Sequence, residues 1–403
     1  MKGMSLGLKE ALRLTLEHIK PLPAENVALI DSVDRVAASD SYSLVDSPSV
    51  DTSRKDGYAV LSREVAEATV ENPVRLLILG SMAAGGEKDI HVKPGTTVRL
   101  LTGARIPAGA DAVVAEEFTK QGGNEVLIES FAEPKNILPR GSDVTFRKCI
   151  LRAGRQISPV MAGLLAVAGH SVVPVFGNPV AGIIGTGDEI VEPGKPLAYG
   201  KVYASNVITL AGWCNRYKIK TRVTIVKDDY DAISSAIKAM SDETDAVITS
   251  GGAWTGDYDM VAQVLEGLGW KEVFHRIRMG PGKAVGFGTL NKKPVFVLPG
   301  GPPSNLMGFL QIALPGLLAL SGHTNPGLPV INARLVSEIR DSDPDWTDFF
   351  FGTLEPGDGL PAFYPMKKRS RLSSIAEATA VASIPEGQDY LPEGSVIYVQ
   401  SLK

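Results

Sequence analysis

The hydrophobic and polar positions of residues 176–326 alternate in blocks that predict a parallel α/β sheet. Short apolar runs bounded by turn residues predict strands, and stretches of about ten to fifteen residues with helical periodicity separate them. Strands joined by such helices are typical of a doubly wound parallel sheet. The predicted elements are strand 180–185, a helix from about 205, strand 219–226, a helix from about 230, strand 245–250 and helix 258–268.

The rest of the chain has a different texture. Residues 46–146 contain short valine-rich segments punctuated by glycine and proline, which predict a β-rich domain resembling a small barrel or sandwich. Residues 327–403 return to short strands and turns, so we expect a small all-β terminal domain. The N-terminal segment is amphipathic and carries charges throughout, which predicts a helix and not a signal peptide. A second helical piece is expected at 159–168.

A glycine-rich turn follows strand 245–250 directly and leads into the next predicted helix. Gly251 and Gly252 have no Cβ, so their backbone N–H groups can approach an anion such as phosphate, and the helix start adds partial positive charge. Asp257 and Asp259, a few residues further on, provide hard oxygen ligands for a divalent cation. The same kind of turn also occurs as a plain connection in α/β domains.

The loops that leave the predicted strands should share one mouth, because ligands of open α/β sheets bind at the carboxyl ends of the strands. These loops bring several carboxylates and three glycine turns together. Clustered carboxylates repel one another, and a bound divalent cation would relieve that repulsion. Lys283 could add a point charge for a second anion. The loops concerned are Gly185–Glu189, Lys227–Asp229, Gly251–Asp259 and Leu298–Ser304.

Composition places the chain among multidomain globular proteins. Its 403 residues, 44% of them hydrophobic, predict roughly two to four domains. The net charge of −4 argues against a nucleic-acid binder, and the two cysteines, Cys149 and Cys214, fit a reducing cytoplasm. Leu306–Leu320 is the longest apolar stretch, but it contains Gln311 and Pro315 and is shorter than the roughly 18 residues of a membrane span. We therefore expect a buried helix there, a cytoplasmic location, and neither membrane nor nucleic acid as a partner.

Familiar nucleotide and hydrolase motifs do not account for the predicted mouth. No GxGxxG follows the first strand of the sheet, and Gly194-Lys195 leads to Pro196, so no GxxxxGK[ST] loop forms. A GxSxG elbow is also missing, and the five histidines have no metal-like spacing. Dehydrogenase, P-loop, serine-hydrolase and zinc-enzyme interpretations therefore have little support.

Eight short motifs stand in order along the chain: Asp51–Val60, Leu101–Ala104, Gly109–Val114, Thr186–Glu189, Gly251–Asp259, Pro281–Lys283, Leu298–Gly300 and Leu372–Ser374. Together they resemble the motifs of the molybdopterin molybdenumtransferase family, the group of MoeA and the gephyrin E-domain. The resemblance extends over nearly the whole chain. It implies a MogA/MoaB-like α/β domain at 176–326, a β-rich domain inserted at 46–146, a split linker domain at 1–45 and 147–175, and a C-terminal β-barrel at 327–403.

The resemblance also implies an activity, in which molybdate is inserted into adenylylated molybdopterin with Mg²⁺ and AMP is released. The catalytic residues it implies are Asp56, Thr102, Asp188, Glu189 and Asp228. The metal ligands it implies are Asp188, Glu189, Asp228, Asp257 and Asp259. Together with the glycine turn itself, the resemblance leads us to expect substrate binding by Gly251, Gly252, Trp254, Gly256, Asp259, Lys283, Pro299, Pro302 and Ser373.

A homodimer follows from the same resemblance, because in the family the inserted domain of one subunit faces the α/β cleft of its partner. Asp56 and Thr102 would then reach the site across the dimer.

The chain departs from the usual family residues at several positions near the expected ligand. Trp254 stands in the glycine turn, where its ring could stack on a pterin or adenine or fill the pocket. Further departures are Arg54-Lys55, Ser142, Gly280 and Gly301. Cations at Arg54, Lys55 or the 367–371 cluster could compensate for the lysine that the family carries at 280.

These departures leave two alternatives to the ordinary transferase. One is a paralogue with changed specificity, for tungstate or another cofactor form. The other is a non-catalytic molybdopterin-binding scaffold.

Overall fold

The computed structural model describes residues 6–86, 88–252, 260–340, 343–366 and 371–403. Contacts within the chain divide it into two compact units. Unit 1 comprises the chain up to Glu25 together with Val175–Lys403, and unit 2 comprises Asn26–Pro174. The β-rich insertion therefore lies within unit 2, whereas the α/β domain and the C-terminal β domain belong to unit 1.

The helices agree with the predicted segments where these are described. The α-helices are α1 (Leu8–Glu17), α2 (Pro159–Val167), α3 (Ser205–Arg216), α4 (Tyr230–Glu243), α5 (Met260–Gly267), α6 (Pro302–Gly308), α7 (Leu314–Leu320) and α8 (Leu372–Ile375). A π-helical turn, Phe309–Ala313, joins α6 to α7. Short 3₁₀ turns occupy Leu29–Asp31, Ser62–Glu64, Glu116–Phe118 and Pro134–Asn136.

Strands account for most of the remaining regular structure. In unit 2 and at its ends they are β1 (Ala24–Ala28), β2 (Ser41–Tyr42), β3 (Thr52–Ser53), β4 (Gly57–Val60), β5 (Val74–Met82), β6 (Thr96–Leu100), β7 (Ala112–Ala115), β8 (Thr119–Gly122), β9 (Glu125–Ile128), β10 (Ile137–Leu138), β11 (Cys149–Leu151) and β12 (Val172–Phe176). In the α/β part they are β13 (Val180–Thr186), β14 (Ile190–Val191), β15 (Val202–Tyr203), β16 (Lys220–Val226), β17 (Ala246–Ser250), β18 (Lys271–His275), β19 (Met279–Gly280), β20 (Gly286–Leu290) and β21 (Lys293–Leu298). The C-terminal strands are β22 (Val330–Leu335), β23 (Ile339–Arg340), β24 (Thr347–Glu355), β25 (Ala362–Pro365), β26 (Ala380–Ile384), β27 (Tyr390–Leu391) and β28 (Val396–Ser401).

The central sheet of unit 1 has the strand order β16-β13-β17-β21-β20-β18. Its first four strands are parallel, and β20 and β18 run antiparallel to their neighbours. The chain moves from β13 to β16 on one side and then crosses to β17 on the other, so the switch point lies between β13 and β17. The predicted parallel α/β sheet is confirmed, and a ligand is expected at this switch point.

Both faces of the central strands are buried, so β13, β17 and β21 are predominantly apolar, whereas the edge strand β16 is partly exposed and carries Lys220 and Arg222. Ile183 and Ile184 of β13 contribute to clusters on opposite faces. The first cluster includes Leu210 of α3, and the second includes Ile237 of α4. Ala11 of α1 also belongs to the first cluster, so this N-terminal helix packs within unit 1.

The stretch Pro302–Leu320 has the length and hydropathy of a membrane span, and 83% of it is buried inside the fold. It comprises α6, the π-helical turn and α7, and most of its residues belong to the main cluster of unit 1. This placement agrees with the buried helix predicted from the sequence.

The C-terminal strands form a closed barrel in the order β24-β25-β22-β28-β26, with β26 pairing back to β24. Phe363 and Val399 are fully buried in its interior. The predicted C-terminal barrel is therefore confirmed. Strand β24 has a third partner, because Met279 and Gly280 of β19 pair with its first two residues.

Unit 2 is built on a six-stranded sheet of order β7-β4-β6-β5-β9-β8. Successive residues of β4 reach clusters on opposite faces, Tyr58 and Val60 on one and Ala59 on the other. Among the described residues the edge strands β7 and β8 do not pair with each other, so this sheet is open and differs from the expected barrel or sandwich. Short pairs, β2 with β11 and β3 with β10, complete the unit.

Candidate functional site

A cavity of about 630 Å³ lies at the carboxyl ends of β13, β16, β17 and β21. Its volume is in the range typical of small-molecule sites. The residues that were predicted from the sequence and line it are Glu189, Asp228, Gly251, Gly252, Lys283, Pro299 and Pro302. The expectation that these loops share one mouth is therefore correct for the described residues.

The turn after β17 requires glycine at two successive positions. Gly251 has φ +108° and Gly252 has φ +64°, both in the left-handed region. A Cβ on Gly251 would lie 2.4 Å from the carbonyl oxygen of Thr186. The Gly251 N–H donates to the carbonyl of Leu298 at 3.1 Å. The Gly251 amide is therefore engaged, whereas the described part of the chain offers no acceptor to the Gly252 N–H, which can bind a ligand.

Glu189, after β13, and Asp228, after β16, line the cavity, and Asp188 lies near Asp228 without lining it. Partial burial, followed by the charges of Glu189 and Asp188, raises the pKa of Asp228, and a hydrogen bond from the backbone N–H of Asp188 opposes that rise. Lys201 donates to the backbone carbonyl of Asp188 at 2.7 Å. The described residues include no group of three or more His, Cys, Asp or Glu side chains arranged to hold a metal ion. Asp228 and Glu189 both line the cavity, where their carboxylates repel each other.

Polar residues at the start of α3 also line the cavity and were not selected from the sequence. Ser205 and Asn206 occupy the first turn of this helix, and the Asn206 side chain donates to the carbonyl of Gly300 at 2.7 Å. Tyr203, just before the helix, lies on the same wall. These residues could have been identified from the sequence, because a Ser-Asn pair begins the helix that follows the first strand of the sheet.

A buried asparagine fixes the turn that carries Pro299. Asn305 is 1% exposed, and its side-chain amide donates to the carbonyl of Pro299 at 2.9 Å and to the Ser250 hydroxyl at 3.0 Å. With the bond from Asn206 to Gly300, two side-chain amides hold two successive carbonyls of this turn. The turn therefore has a fixed position against the end of β17.

The other predicted site residues lie elsewhere in the chain. Asp56 and Thr102 belong to unit 2, where they contact each other. Ser373 is exposed in α8 and does not line the cavity. Outside the described residues lie Trp254, Gly256, Asp257, Asp259 and the 367–370 part of the basic cluster.

The parallel sheet, its glycine turn and the closed barrel together define a multidomain α/β protein with a ligand-sized cavity at the carboxyl edge of its strands. Two family models match the sequence. One, described as the MoeA N-terminal region (domain I and II), matches residues 6–169, and the other, a probable molybdopterin binding domain, matches residues 182–319.

Relatives extend the match to the full chain. A molybdopterin molybdenumtransferase of Bacillus subtilis is 31% identical, with 99% of this chain and 94% of the relative covered. A molybdopterin molybdenumtransferase of a Nostoc species is 31% identical over 91% of this chain and 86% of its own. The crystal structure of a molybdopterin biosynthesis MoeA protein from Pyrococcus horikosii superimposes with a TM-score of 0.84 at 31% identity, covering 99% of each chain. The chain belongs to the molybdopterin molybdenumtransferase family of enzymes.

The structure gives a local context for two of the departures from the family residues. A Cβ on Gly280 would lie 1.8 Å from a carboxylate oxygen of Asp348, so any side chain at 280 requires that carboxylate to move. A Cβ on Gly301 would have no neighbouring atom within 4 Å, so a larger residue fits there. In unit 2, Lys55 forms an ion pair with Glu117 at 3.7 Å. Lys55 is one of the cations expected to compensate for the family lysine at position 280, and it is already paired here.

Proposed function

We propose that this protein catalyses the insertion of molybdate into adenylylated molybdopterin, with release of AMP and a requirement for Mg²⁺. The proposal rests on one observation: in a chain of this family, one cavity is lined by two carboxylates, a glycine turn and Lys283. Such a cavity suits a substrate with several anionic groups, because backbone amides and an ammonium group bind oxyanions while the acids bind a cation.

The residues of the cavity differ in the part of the substrate that they can bind. The Gly252 amide is available to a phosphate oxygen, and the Lys283 ammonium group can neutralise a second oxyanion. The turn at Pro299, held by Asn206 and Asn305, forms a rigid wall that orients the substrate between these groups.

The donor set fits Mg²⁺ in spite of its small number of carboxylates. Mg²⁺ is commonly held by one or two carboxylates, with water and substrate phosphates completing the coordination. Asp228 and Glu189 are the pair that would hold it here. Partial burial, and next the charges of Glu189 and Asp188, raise the pKa of Asp228, and a cation would relieve the part of that rise that comes from like charge. When bound, Mg²⁺ would offset the negative charge of the phosphate and its leaving group.

We further propose a cytoplasmic homodimer with composite sites. Its domains follow the boundaries 1–45 with 147–175, 46–146, 176–326 and 327–403. The inserted domain of each subunit would then bring Asp56 and Thr102 to the partner's cavity. These two residues support that role because they are exposed in unit 2 while the cavity lies in unit 1.

The activity is tested by following AMP release from adenylylated molybdopterin and Mg²⁺, with molybdate, with tungstate and with neither. We expect release that depends on molybdate and is lost in Asp228→Asn. Release with tungstate alone would indicate the changed-specificity paralogue. Binding without any release would reject the transferase in favour of a scaffold.

Composite sites are tested by mixing two inactive variants, Asp56→Ala and Asp228→Asn, under conditions that exchange subunits. Random hybrid dimers would regain roughly a quarter of wild-type activity, because half of the dimers carry one intact site of two. The controls are each variant alone and the mixture without subunit exchange. An inactive mixture in which mass spectrometry detects hybrid dimers would contradict the composite site.

A further inference from the structure

The carboxylate of Asp56 uses only one of its two oxygens within unit 2. Both hydrogen bonds from Thr102 go to Oδ1, and within the described ranges Oδ2 makes no hydrogen bond or ion pair. Asp56 is exposed, and a carboxylate oxygen without a protein partner can accept from a donor or bind a cation. Oδ2 is therefore the oxygen that Asp56 offers to a ligand.

An ion pair crosses the start of β4 beside Asp56. The strand order places β4 between β7 and β6, and Arg99 of β6 lies opposite Tyr58 of β4. The Arg99 guanidinium donates at 2.8 Å to the carboxylate of Glu116, which follows β7 directly. The backbone N–H of Glu116 in turn donates to the carbonyl of Asp56 at 2.9 Å. The ion pair thus spans β4 next to the residue that precedes this strand.

Arg99 acts on Asp56 electrostatically without being paired with it. The backbone and side-chain hydrogen bonds from Thr102 are the main cause of the lowered pKa of Asp56, and the charge of Arg99 contributes a smaller part in the same direction. Among the described residues, Arg99 nevertheless forms its ion pair with Glu116 and none with Asp56. Lys55, which precedes Asp56 in the chain, is likewise paired with a glutamate. Oδ2 of Asp56 stays unpaired although two cations lie near it.

We propose that Glu116 is a positioning residue for Asp56: by binding the guanidinium of Arg99, it keeps this cation away from Oδ2 and leaves that oxygen free for a ligand. The ligand group is a cation or a hydrogen-bond donor. Exposed ion pairs differ little in free energy, so loss of one carboxylate is enough to send an arginine to the next. The inference rests on the proposed function for the role of Asp56 in AMP release.

Four proteins form the test: the wild type, Glu116→Gln, Arg99→Met and the double variant. Glu116→Gln keeps the size of the side chain and removes the charge that binds Arg99. Glu125→Gln is the matched control, because Glu125 forms an ion pair with Arg75 at 3.0 Å on β9 and β5 of the same sheet. NMR titration of the Asp56 carboxyl carbon, whose signal is identified by its loss in Asp56→Asn, reports on the cation beside it. The rate of AMP release reports on the use of Asp56 in the reaction.

In Glu116→Gln we expect Arg99 to pair with Oδ2 of Asp56. The pKa of Asp56 should then fall further, and kcat/KM for AMP release should fall by about 2-fold to 5-fold, the range that an exposed ion pair allows. The double variant should regain the wild-type kcat/KM, because it has no guanidinium to cover the oxygen. In the Arg99→Met background, the loss of Glu116 should leave the pKa of Asp56 unchanged. Glu125→Gln should match the wild type in both measurements.

An equal loss of AMP release in Glu116→Gln and in the double variant would overturn the proposal, since Glu116 would then act without Arg99. Wild-type titration and kcat/KM in Glu116→Gln would overturn it as well. A wild type that releases no AMP rejects the transferase, while the titrations of the four proteins still decide whether Glu116 restrains Arg99. An active transferase whose Asp56 titration shows no change that depends on Arg99 rejects the positioning role alone.

Discussion

Thr102 donates two hydrogen bonds to the same carboxylate oxygen of Asp56, one from its backbone N–H at 2.7 Å and one from its hydroxyl at 2.8 Å. These bonds, the backbone one first, lower the pKa of Asp56 because they favour the ionised carboxylate. Two residues that the resemblance assigned to catalysis are thus joined directly, although they lie 46 positions apart in the sequence. Asp56 is held ionised, which suits a group that attracts a cation or orients a donor and does not suit a proton donor.

The first prediction concerns this pair. Thr102→Val removes the hydroxyl bond, so the pKa of Asp56 should rise toward its ordinary value, whereas Thr102→Ser should leave it low. A depressed carboxyl pKa stabilises the fold above the ordinary value and loses that contribution as the pH falls through the folded value. NMR titration of the Asp56 carboxyl carbon measures the change. An unchanged titration in Thr102→Val would show that the backbone bond alone sets the pKa.

The second prediction concerns the glycine turn. Gly251→Ala should destabilise the protein by roughly 1–3 kcal/mol, because its Cβ would meet the Thr186 carbonyl at 2.4 Å in a left-handed backbone conformation. Gly300→Ala is the control, since the nearest atom to its Cβ is 3.7 Å away. Urea unfolding of both variants provides the comparison. Equal stability of the two would mean that the turn relaxes without strain.

The third prediction is that an asparagine at position 301 stabilises the protein. Gly301 is the N-cap of α6 and has no side-chain cap, and its surroundings are open. Gly301→Asn should therefore add a capping bond and stabilise the protein by a few tenths of a kcal/mol. Gly301→Ala, which adds bulk without a cap, is the control, and chemical denaturation is the measurement. Because position 301 also lines the cavity, AMP release should be measured in the same variants.

The fourth prediction follows from the raised pKa of Asp228. A carboxyl whose folded pKa is raised favours folding when protonated, and this contribution is lost as the pH rises through the folded value. At neutral pH, Asp228→Asn should thus have a higher free energy of unfolding than the wild type. The expected difference is on the order of 0.5 kcal/mol, because the Asp228 side chain is partly exposed to solvent. The difference should shrink in acid.

Mg²⁺ provides the companion measurement for Asp228. The cation should raise the thermal stability of the wild type at neutral pH and raise that of Asp228→Asn less. Thermal unfolding with Mg²⁺ at several pH values, alongside Lys201→Met as a charge variant outside the cavity lining, tests this. Equal stabilisation of the wild type and Asp228→Asn by Mg²⁺ would place the cation elsewhere.

Much of the α/β fold was predictable because its signals are local. Strands such as Val180–Thr186 are apolar runs of the length that a doubly covered sheet requires. The rule that ligands bind at the carboxyl ends of parallel strands then predicted that Glu189 and Asp228 share one cavity, and Lys283 was added separately as a cation for an anionic ligand. The all-β character of residues 327–403 was predictable for the same reason, whereas the barrel itself was expected only from the family resemblance.

Other features depend on partners far away in the chain and could not be read from local pattern. The Gly251 amide donates to the carbonyl of Leu298, so it is not available to a ligand. The hydroxyl of Thr186 is notable for lacking a partner among the described residues, which only the tertiary structure reveals. Likewise, the open sheet of unit 2 and the barrel of unit 1 arise from similar short strands, and only the pairing of their edges separates them.

Strand β19 links the C-terminal barrel to a wall of the cavity through a short segment of chain. Met279 and Gly280 pair with β24, and Lys283 follows three residues later in the cavity wall. A rotation of the barrel would pull on this short tether and displace the lysine relative to the glycine turn. A substitution in β24 that shifts this pairing would therefore change the position of the ammonium group without contacting the ligand.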